Sequence, residues 1–364
     1  MALTKVITGV TDLNQNNSTN GLKFPTGNAF AGTPEEGMIR NDQSQASEGS
    51  ASTMQFYNGT AWKNFVNKVP PISVDYLVVA GGGGGGGWGG GGGAGGLITN
   101  YGGTSLTLAS ATNYTVSIGD GGTAGYYTSS YFAGGNGSNS YISGTGLTTI
   151  TTIGGGGGGK YLSPYGTDGA AGGSGGGAGA TSAGQPGSGS GGTGAAGQGN
   201  DGASSGSGGS FYPGGGGGGG AGTAGIQSST NEGGAGGDGL QYNITGTNIY
   251  YAGGGSGLSS RTDLNPGVAG GSGGGGTGGR YATASGTVSS TAAVNGTDGL
   301  GGGGGGAYGL SPYVCGAGGS GVVILRYPSA YTITAGGSLT SSTATVGTDK
   351  VTTFTAGSDT ITFS

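Results

Sequence analysis

The chain has no histidine, one cysteine, 10 prolines and only 7% charged residues among its 364 positions. A single cysteine excludes a disulfide framework, and without histidine a Cys/His metal site cannot be assembled. Cys315 has no histidine to serve as its base, so it reads as a small packed residue and not a nucleophile. A net charge of -5 supplies no basic footprint for nucleic acid. No stretch approaches the 18 or so apolar residues of a membrane helix, and Met1-Ala2-Leu3-Thr4-Lys5 leads into polar sequence, unlike a signal-peptide core. We therefore expect no cofactor, no metal, no nucleic-acid partner and no membrane insertion, in a protein made in a cytoplasm.

What is abundant is glycine, 104 residues of it, in unbroken runs at Gly81–Gly87, Gly154–Gly159, Gly214–Gly220 and Gly301–Gly306. Two readings compete. In one the tracts are flexible linkers, the usual meaning of such composition. In the other they are extended left-handed helices of the polyproline II type, with three residues per turn. Lacking Cβ atoms, such helices can touch on every side and exchange N–H···O=C bonds with their neighbours. Each ordered glycine costs about 1–2 kcal/mol of backbone entropy, and each hydrogen bond returns a net ~1 kcal/mol. A bundle of many runs thus approaches balance where a lone run does not, and apolar flanks must tip it.

The flanks are present. Asp75-Tyr76-Leu77-Val78-Val79-Ala80 precedes the first run, and Gly321-Val322-Val323-Ile324-Leu325-Arg326-Tyr327 follows the last. Both are short, apolar and β-branched, the mark of buried strands. Tyr114-Thr115-Val116-Ser117-Ile118 and Tyr141-Ile142-Ser143 alternate as half-buried strands do. Strict Gly-X-Y repetition is absent, which disfavours a collagen triple helix. The expected fold is irregular, all-β in type, with little or no α-helix. A polyglycine II sandwich over 73–327 is framed by short strands. A small β module over 1–72 precedes it and a C-terminal β-hairpin over 328–364 follows. Asn58-Gly59, between Met54-Gln55-Phe56-Tyr57 and Trp62-Lys63-Asn64-Phe65, predicts a hairpin in the first module, and Pro70-Pro71 reads as a stiff hinge.

Ile39-Arg40-Asn41 and Phe56-Tyr57-Asn58-Gly59 with Trp62 resemble a short β module of bacteriophage tail-fibre and related virion proteins. The stretch from Tyr76 to Tyr327, opening Tyr-Leu-Val-Val-Ala-Gly-Gly-Gly and closing Gly-Val-Val-Ile-Leu-Arg-Tyr, is similar to the glycine-rich domains of phage structural proteins. The resemblance implies a tail-fibre or fibre-tip adhesin of the virion, attached to other virion proteins through 1–72. Its loops would meet a host surface glycan or outer-membrane protein, and a fibre implies a homotrimer. The rival within the same resemblance is a purely structural fibre shaft, collar or capsid decoration.

The loops that join glycine runs fall at 160–171, 180–213, 226–232, 240–252, 258–269, 280–298 and 307–315. If each run crosses the domain once, successive joints alternate between two ends, which puts the first and last together. Those two share the motif Leu-Ser-Pro-Tyr, at Leu162–Tyr165 and Leu310–Tyr313. Tyrosine among Ser, Thr, Asn and Gly is the composition of recognition loops. The candidate contact residues are Tyr161, Tyr165, Tyr250, Tyr251, Tyr281, Tyr308 and Tyr313, with the cations Arg261 and Arg280. The alternative is that the rings lie flat as lids over the glycine helices. Tyr126, Tyr127, Tyr131 and Phe132 form a further cluster, either a third contact surface or a packing plug. Trp88 reads as a cover at the edge of the bundle.

An enzyme is not expected. Gly-x-Gly-x-x-Gly recurs only because glycine is abundant, without the strand, helix and acid of a dinucleotide site. Among Asp168, Asp201, Asp263 and Asp298, nothing singles out a carboxylate pair for glycosidic cleavage.

Overall fold

The computed structural model describes residues 39–42, 53–64, 71–207, 213–260, 267–284 and 287–364. The chain divides into two units, Met1–Val69 and Pro70–Ser364. In the first, β1 (Ile39–Asp42), β2 (Thr53–Tyr57) and β3 (Trp62–Asn64) form an antiparallel sheet in that order. The Asn58-Gly59 hairpin predicted from sequence joins β2 to β3, with Tyr57 opposite Trp62. The Asn58 side-chain oxygen accepts from the amides of Thr60 and Ala61, and Gly59 takes the positive φ of 90° that the turn requires. Residues 1–38, 43–52 and 65–70 of the expected 1–72 module lie outside the described residues, Pro70 of the expected hinge among them, and Ile72 already belongs to the second unit.

The second unit contains β4 (Ile72–Val79), β5 (Leu97–Thr99), β6 (Leu106–Leu108), β7 (Asn113–Ser117), β8 (Ser140–Gly144) and β9 (Leu147–Thr152). Short hairpins follow as β10 (Tyr161–Leu162) with β11 (Tyr165–Gly166), and β12 (Leu240–Tyr242) with β13 (Ile249–Tyr251). Then come β14 (Ser259–Ser260), β15 (Arg280–Ala284), β16 (Thr287–Thr291), β17 (Val322–Pro328), β18 (Ile333–Ala335), β19 (Thr340–Val346), β20 (Asp349–Ala356) and β21 (Ser358–Phe363). Among the described residues there is no α-helix.

Two sheets carry the apolar core. One has the order β19-β20-β17-β4-β5, with β6 also on β4; the other is β18-β21-β7-β8-β9. The two flanks of the glycine region, β4 and β17, pair antiparallel at the centre of the first sheet, with Val78 opposite Val323. Val74, Val78, Val323, Leu325 and Phe354 pack against Tyr114, Val116, Ile142, Ile361 and Phe363 of the second sheet. The alternate residues Leu77, Val79, Val322 and Ile324 face the other way, onto Ala94, Leu97, Ile244 and Tyr251. A strand buried on both faces reads as an unbroken apolar run, which is why the flanks do not alternate. Residues 328–364 are woven into both sheets: β20 pairs with β17, and β21 with β7.

The glycine runs form a hydrogen-bonded lattice. Along Gly81–Gly87 the amides rotate among three neighbours. Gly82 and Gly85 donate to the carbonyls of Gly319 and Gly316, Gly83 and Gly86 to Gly93 and Gly90, and Gly84 and Gly87 to Gly135 and Phe132, all at 2.8–2.9 Å. The carbonyls rotate in the same way. Gly81 and Gly84 accept from Gly155 and Gly158, Gly82 and Gly85 from Gly122 and Gly125, and Gly83 and Gly86 from Gly304 and Ala307. A repeat of three residues is that of a polyproline II helix, and three donor neighbours plus three acceptor neighbours surround this run on six sides. The neighbours it donates to run antiparallel, and those it accepts from run parallel. The next run repeats the arrangement: Gly90, Gly91 and Gly92 donate to Gly159, Gly216 and Gly304.

At the interior glycine positions this packing leaves no room for a side chain. A Cβ on Gly83 would stand 2.2 Å from the Gly156 carbonyl oxygen, and one on Gly82 2.1 Å from that of Gly302. At the rim, where a neighbouring run is missing or displaced, side-chain oxygens replace carbonyls. Asp168, Asp201, Asp238 and Asp298 accept from the amides of Ser190, Gly194, Ser272 and Ser320 at 2.7–2.8 Å. Three of the four carboxylates weighed above for glycosidic chemistry are therefore lattice acceptors, and Asp263 lies outside the described residues.

Candidate functional site: the aromatic end of the lattice

Because the runs are antiparallel to half their neighbours, the lattice has two ends. One abuts the two large sheets. The other gathers the termini of several runs around Trp88, which turns Gly81–Gly87 into the run after it at a φ of 45°. The Trp88 amide donates to Ala307 and its carbonyl accepts from Ala180; Tyr161 donates to Gly87, and Tyr127 to Gly309. These bonds bring the loops after Gly159, Ala180 and Gly306 to one place.

Trp88 is buried, with 8% of its surface exposed. Its ring lies 4.8 Å from that of Tyr281, 5.1 Å from Tyr308, 5.7 Å from Tyr131 and 5.8 Å from Tyr161, centroid to centroid. Offset and edge-on aromatic pairs at such separations each add about 0.5–1.5 kcal/mol beyond area burial. The Tyr161 hydroxyl reaches Ser182 at 2.8 Å. Burial, followed by the nearby Tyr308 hydroxyl, pushes the Tyr131 hydroxyl far above its ordinary value. Beneath the cluster, Cys315 Sγ donates to the Gly86 carbonyl at 3.3 Å. Burial pushes its thiol up to about 12, so it is protonated and inert at neutral pH.

Outside this buried layer the same end presents apolar surface. Leu162 is 60% exposed and Tyr165 47%, from one Leu-Ser-Pro-Tyr; Leu310 is exposed in the other, and Val314 follows it. Tyr126 and Phe132 are exposed as well and stack at 4.4 Å, with Lys160 Nζ 5.7 Å from the Phe132 ring. Both Ser-Pro bonds of the repeated motif are cis.

The sequence-derived candidates separate into groups. Tyr161, Tyr281 and Tyr308 are half-buried anchors on Trp88, and Tyr165 and Tyr313 belong to the two repeated loops at this end. Arg280 opens β15 beside Tyr281 and is buried. Tyr250 and Tyr251 lie at the opposite end, where Tyr251 is packed in the core with Leu77 and Val79 and Tyr250 is exposed. Arg261, Phe211 and Tyr212 lie outside the described residues. The Tyr126–Phe132 cluster shares the aromatic end, through Tyr131 and the Lys160 contact. Leu162, Leu310 and Val314 stand exposed at this end beside the sequence-derived candidates, and the repeated Leu-Ser-Pro-Tyr marks the first two of them in the sequence.

The strict alternation of joints does not hold. The 160–171 and 307–315 joints do share an end, but so do the 280–298 joint and, through Ala180 and Ser182, the start of the 180–213 joint, both of which the alternation put at the other. The tract 267–280 crosses twice, folding back at Gly273 and Gly274, both at positive φ. Gly271 donates to Gly254 and Gly276 to Gly303, on runs either side of that bend.

The family model described as a glycine-rich domain matches residues 60–328, well over half of the chain and nearly all of the lattice. The chain belongs to this glycine-rich domain family. The glycine-rich domain so defined ends at the last residue of β17, whereas the sheet that closes its base continues through β20 and β19. No curated protein matches the chain.

Proposed function

We propose that this chain is a bacteriophage virion protein, a tail fibre or fibre tip, that recognises a host cell through the aromatic end of its lattice. Residues 1–72 would join it to other virion proteins. The observation that supports this most is the division of the aromatic end into two layers. Tyr161, Tyr281 and Tyr308 are fixed on Trp88, while Leu162, Tyr165, Leu310, Val314, Tyr126 and Phe132 stand exposed above a rigid base. Rings and aliphatic groups held on fixed backbone lose little entropy on binding. Grouped exposure of this kind on one face is a mark of interaction sites. The ligand would be a surface glycan stacked on the rings or an apolar loop of an outer-membrane protein.

A structural role, as shaft, collar or decoration, draws support from the lattice itself, which is a rigid spacer whether or not its loops touch anything. Replacing Leu162, Tyr165, Leu310 and Tyr126 together with serine separates the two. The adhesin reading expects assembled particles to form normally and their affinity for cells, measured from adsorption at equilibrium, to fall at least about tenfold, equivalent to ~1.4 kcal/mol of binding. Unchanged adsorption by intact particles would favour the structural role.

A further inference from the structure

The first large sheet ends on a strand, β19, whose outer edge pairs with no other strand among the described residues. β19 pairs with β20 on one side, from Ser341 opposite Phe354 to Val346 opposite Asp349, after a register shift at Thr340. Thr340 to Thr345 are exposed and Val346 is half-buried. Among the described residues, no backbone hydrogen bond outside that pairing involves this strand. The long edge of the other sheet is treated differently: Gln198 donates from its side chain to the Thr151 carbonyl and accepts from Ile153 at the end of β9. Proteins usually blunt an open edge with lysine, proline, a bulge or a covering loop, because unpaired N–H and C=O groups template a further strand. From Ser341 to Val346 this edge has no charged residue, no proline and no bulge.

We propose that β19 is the seam of a homodimer, in which two copies of the chain pair their β19 strands antiparallel about a twofold axis. The sequence Ser341-Ser342-Thr343-Ala344-Thr345 is compatible with itself reversed. With the axis at Thr343, Thr343 meets its own copy, Ser342 meets Ala344, and Ser341 meets Thr345. All are small, uncharged and acceptable on a pleated surface, and Thr/Ser cross-strand pairs are favourable. An isologous contact of this kind closes on itself and stops at two chains, in place of the homotrimer that the fibre resemblance implies. A foreign strand would satisfy the same backbone groups, but β19 offers no charge from Ser341 to Val346 to select one, whereas self-pairing needs none.

The test is the mass of the full chain in solution by light scattering across a dilution series. A particle of twice the 33.8 kDa chain mass is expected. Ser342→Lys with Ala344→Lys sets like charges opposite one another across the axis and should raise the dissociation constant at least about tenfold. Ser342→Glu with Ala344→Glu should do the same, and mixing the two variants should restore a one-to-one dimer. Both pairs of side chains are exposed, so the thermal transition of each variant should match wild type. A wild-type monomer at all concentrations would overturn the proposal. So would an oligomer of any size that survives both charge pairs, or a failure of the mixed variants to associate while each remains folded.

Discussion

Asn136 and Asn139 stand one helical turn apart on the same run, and each offers its side-chain oxygen to the next run, to the amides of Gly157 and Gly154 at 2.8 and 2.9 Å. Asn295 and Asp298 repeat the device toward Ala317 and Ser320. A spacing of three is the period of the lattice, so asparagine or aspartate at i and i+3 marks a run at the rim. Replacing both Asn136 and Asn139 with alanine leaves two amides without their acceptors. The expected cost is about 2 kcal/mol at ~1 kcal/mol each, seen as a lower urea midpoint with an unchanged m-value.

Interior glycine positions are far less forgiving. Gly83→Ala would drive a methyl group into the Gly156 carbonyl, which belongs to a neighbouring run fixed by its own bonds. We expect a loss above ~4 kcal/mol, in the range that signals severe overpacking, or no soluble folded protein. Gly337→Ala is the control, since a Cβ there meets nothing within 4 Å and its φ is not positive. That variant should stay within about 0.5 kcal/mol of wild type in the same unfolding assay.

The frame of the fold was legible because apolar strands announce themselves. Val78, Val79, Val322 and Val323 had to be buried, and they pair as the centre of a sheet. The lattice was legible only as a class. Which run touches which depends on backbone bonds that glycine cannot label, and short crossings such as 267–272 carry Val268, Ala269 and Ser272 and so do not look like runs. The candidate site was half legible. Tyrosine density located the loops, but density alone could not tell Tyr251, buried beneath the sheet, from Tyr165, standing exposed at the far end.

Alkali should destabilise the protein before moderate acid does. The buried Cys315 thiol, ordinarily near 9.0, is pushed up to about 12. Its unfolded form therefore loses the proton first, so stability is intact below pH 9 and falls as pH rises toward 12. Tyr131, raised from 10.0 chiefly by burial, acts in the same direction at higher pH. Asp359 works oppositely, its carboxyl lowered from 3.8 by the amides of Thr360 and Ser338, so its contribution is lost only on acidification below that value. Thermal melts from pH 7 to 11 should show a falling midpoint above pH 9, and Cys315→Ala should flatten the first part of that fall.

Trp88 holds the aromatic end together. Trp88→Ala should cost about 3–5 kcal/mol, the usual price of emptying a large aromatic site. It should also remove much of the near-ultraviolet circular dichroism contributed by Tyr131, Tyr161, Tyr281 and Tyr308. The signal of the N-terminal pair, Tyr57 and Trp62 at 5.5 Å, should persist.

The three-residue rotation along Gly81–Gly87 has a last consequence, for insertions and deletions. Removing one glycine from the middle of a run turns everything beyond it by a third of a revolution, so every later amide aims at the wrong neighbour. A loop of a dozen residues can be rewritten without that effect, because no side chain of the interior lattice has to match it. Chain length between bends is thus guarded more strictly than residue identity within them, and a single-codon deletion is the harsher lesion than a wholesale exchange of a tip.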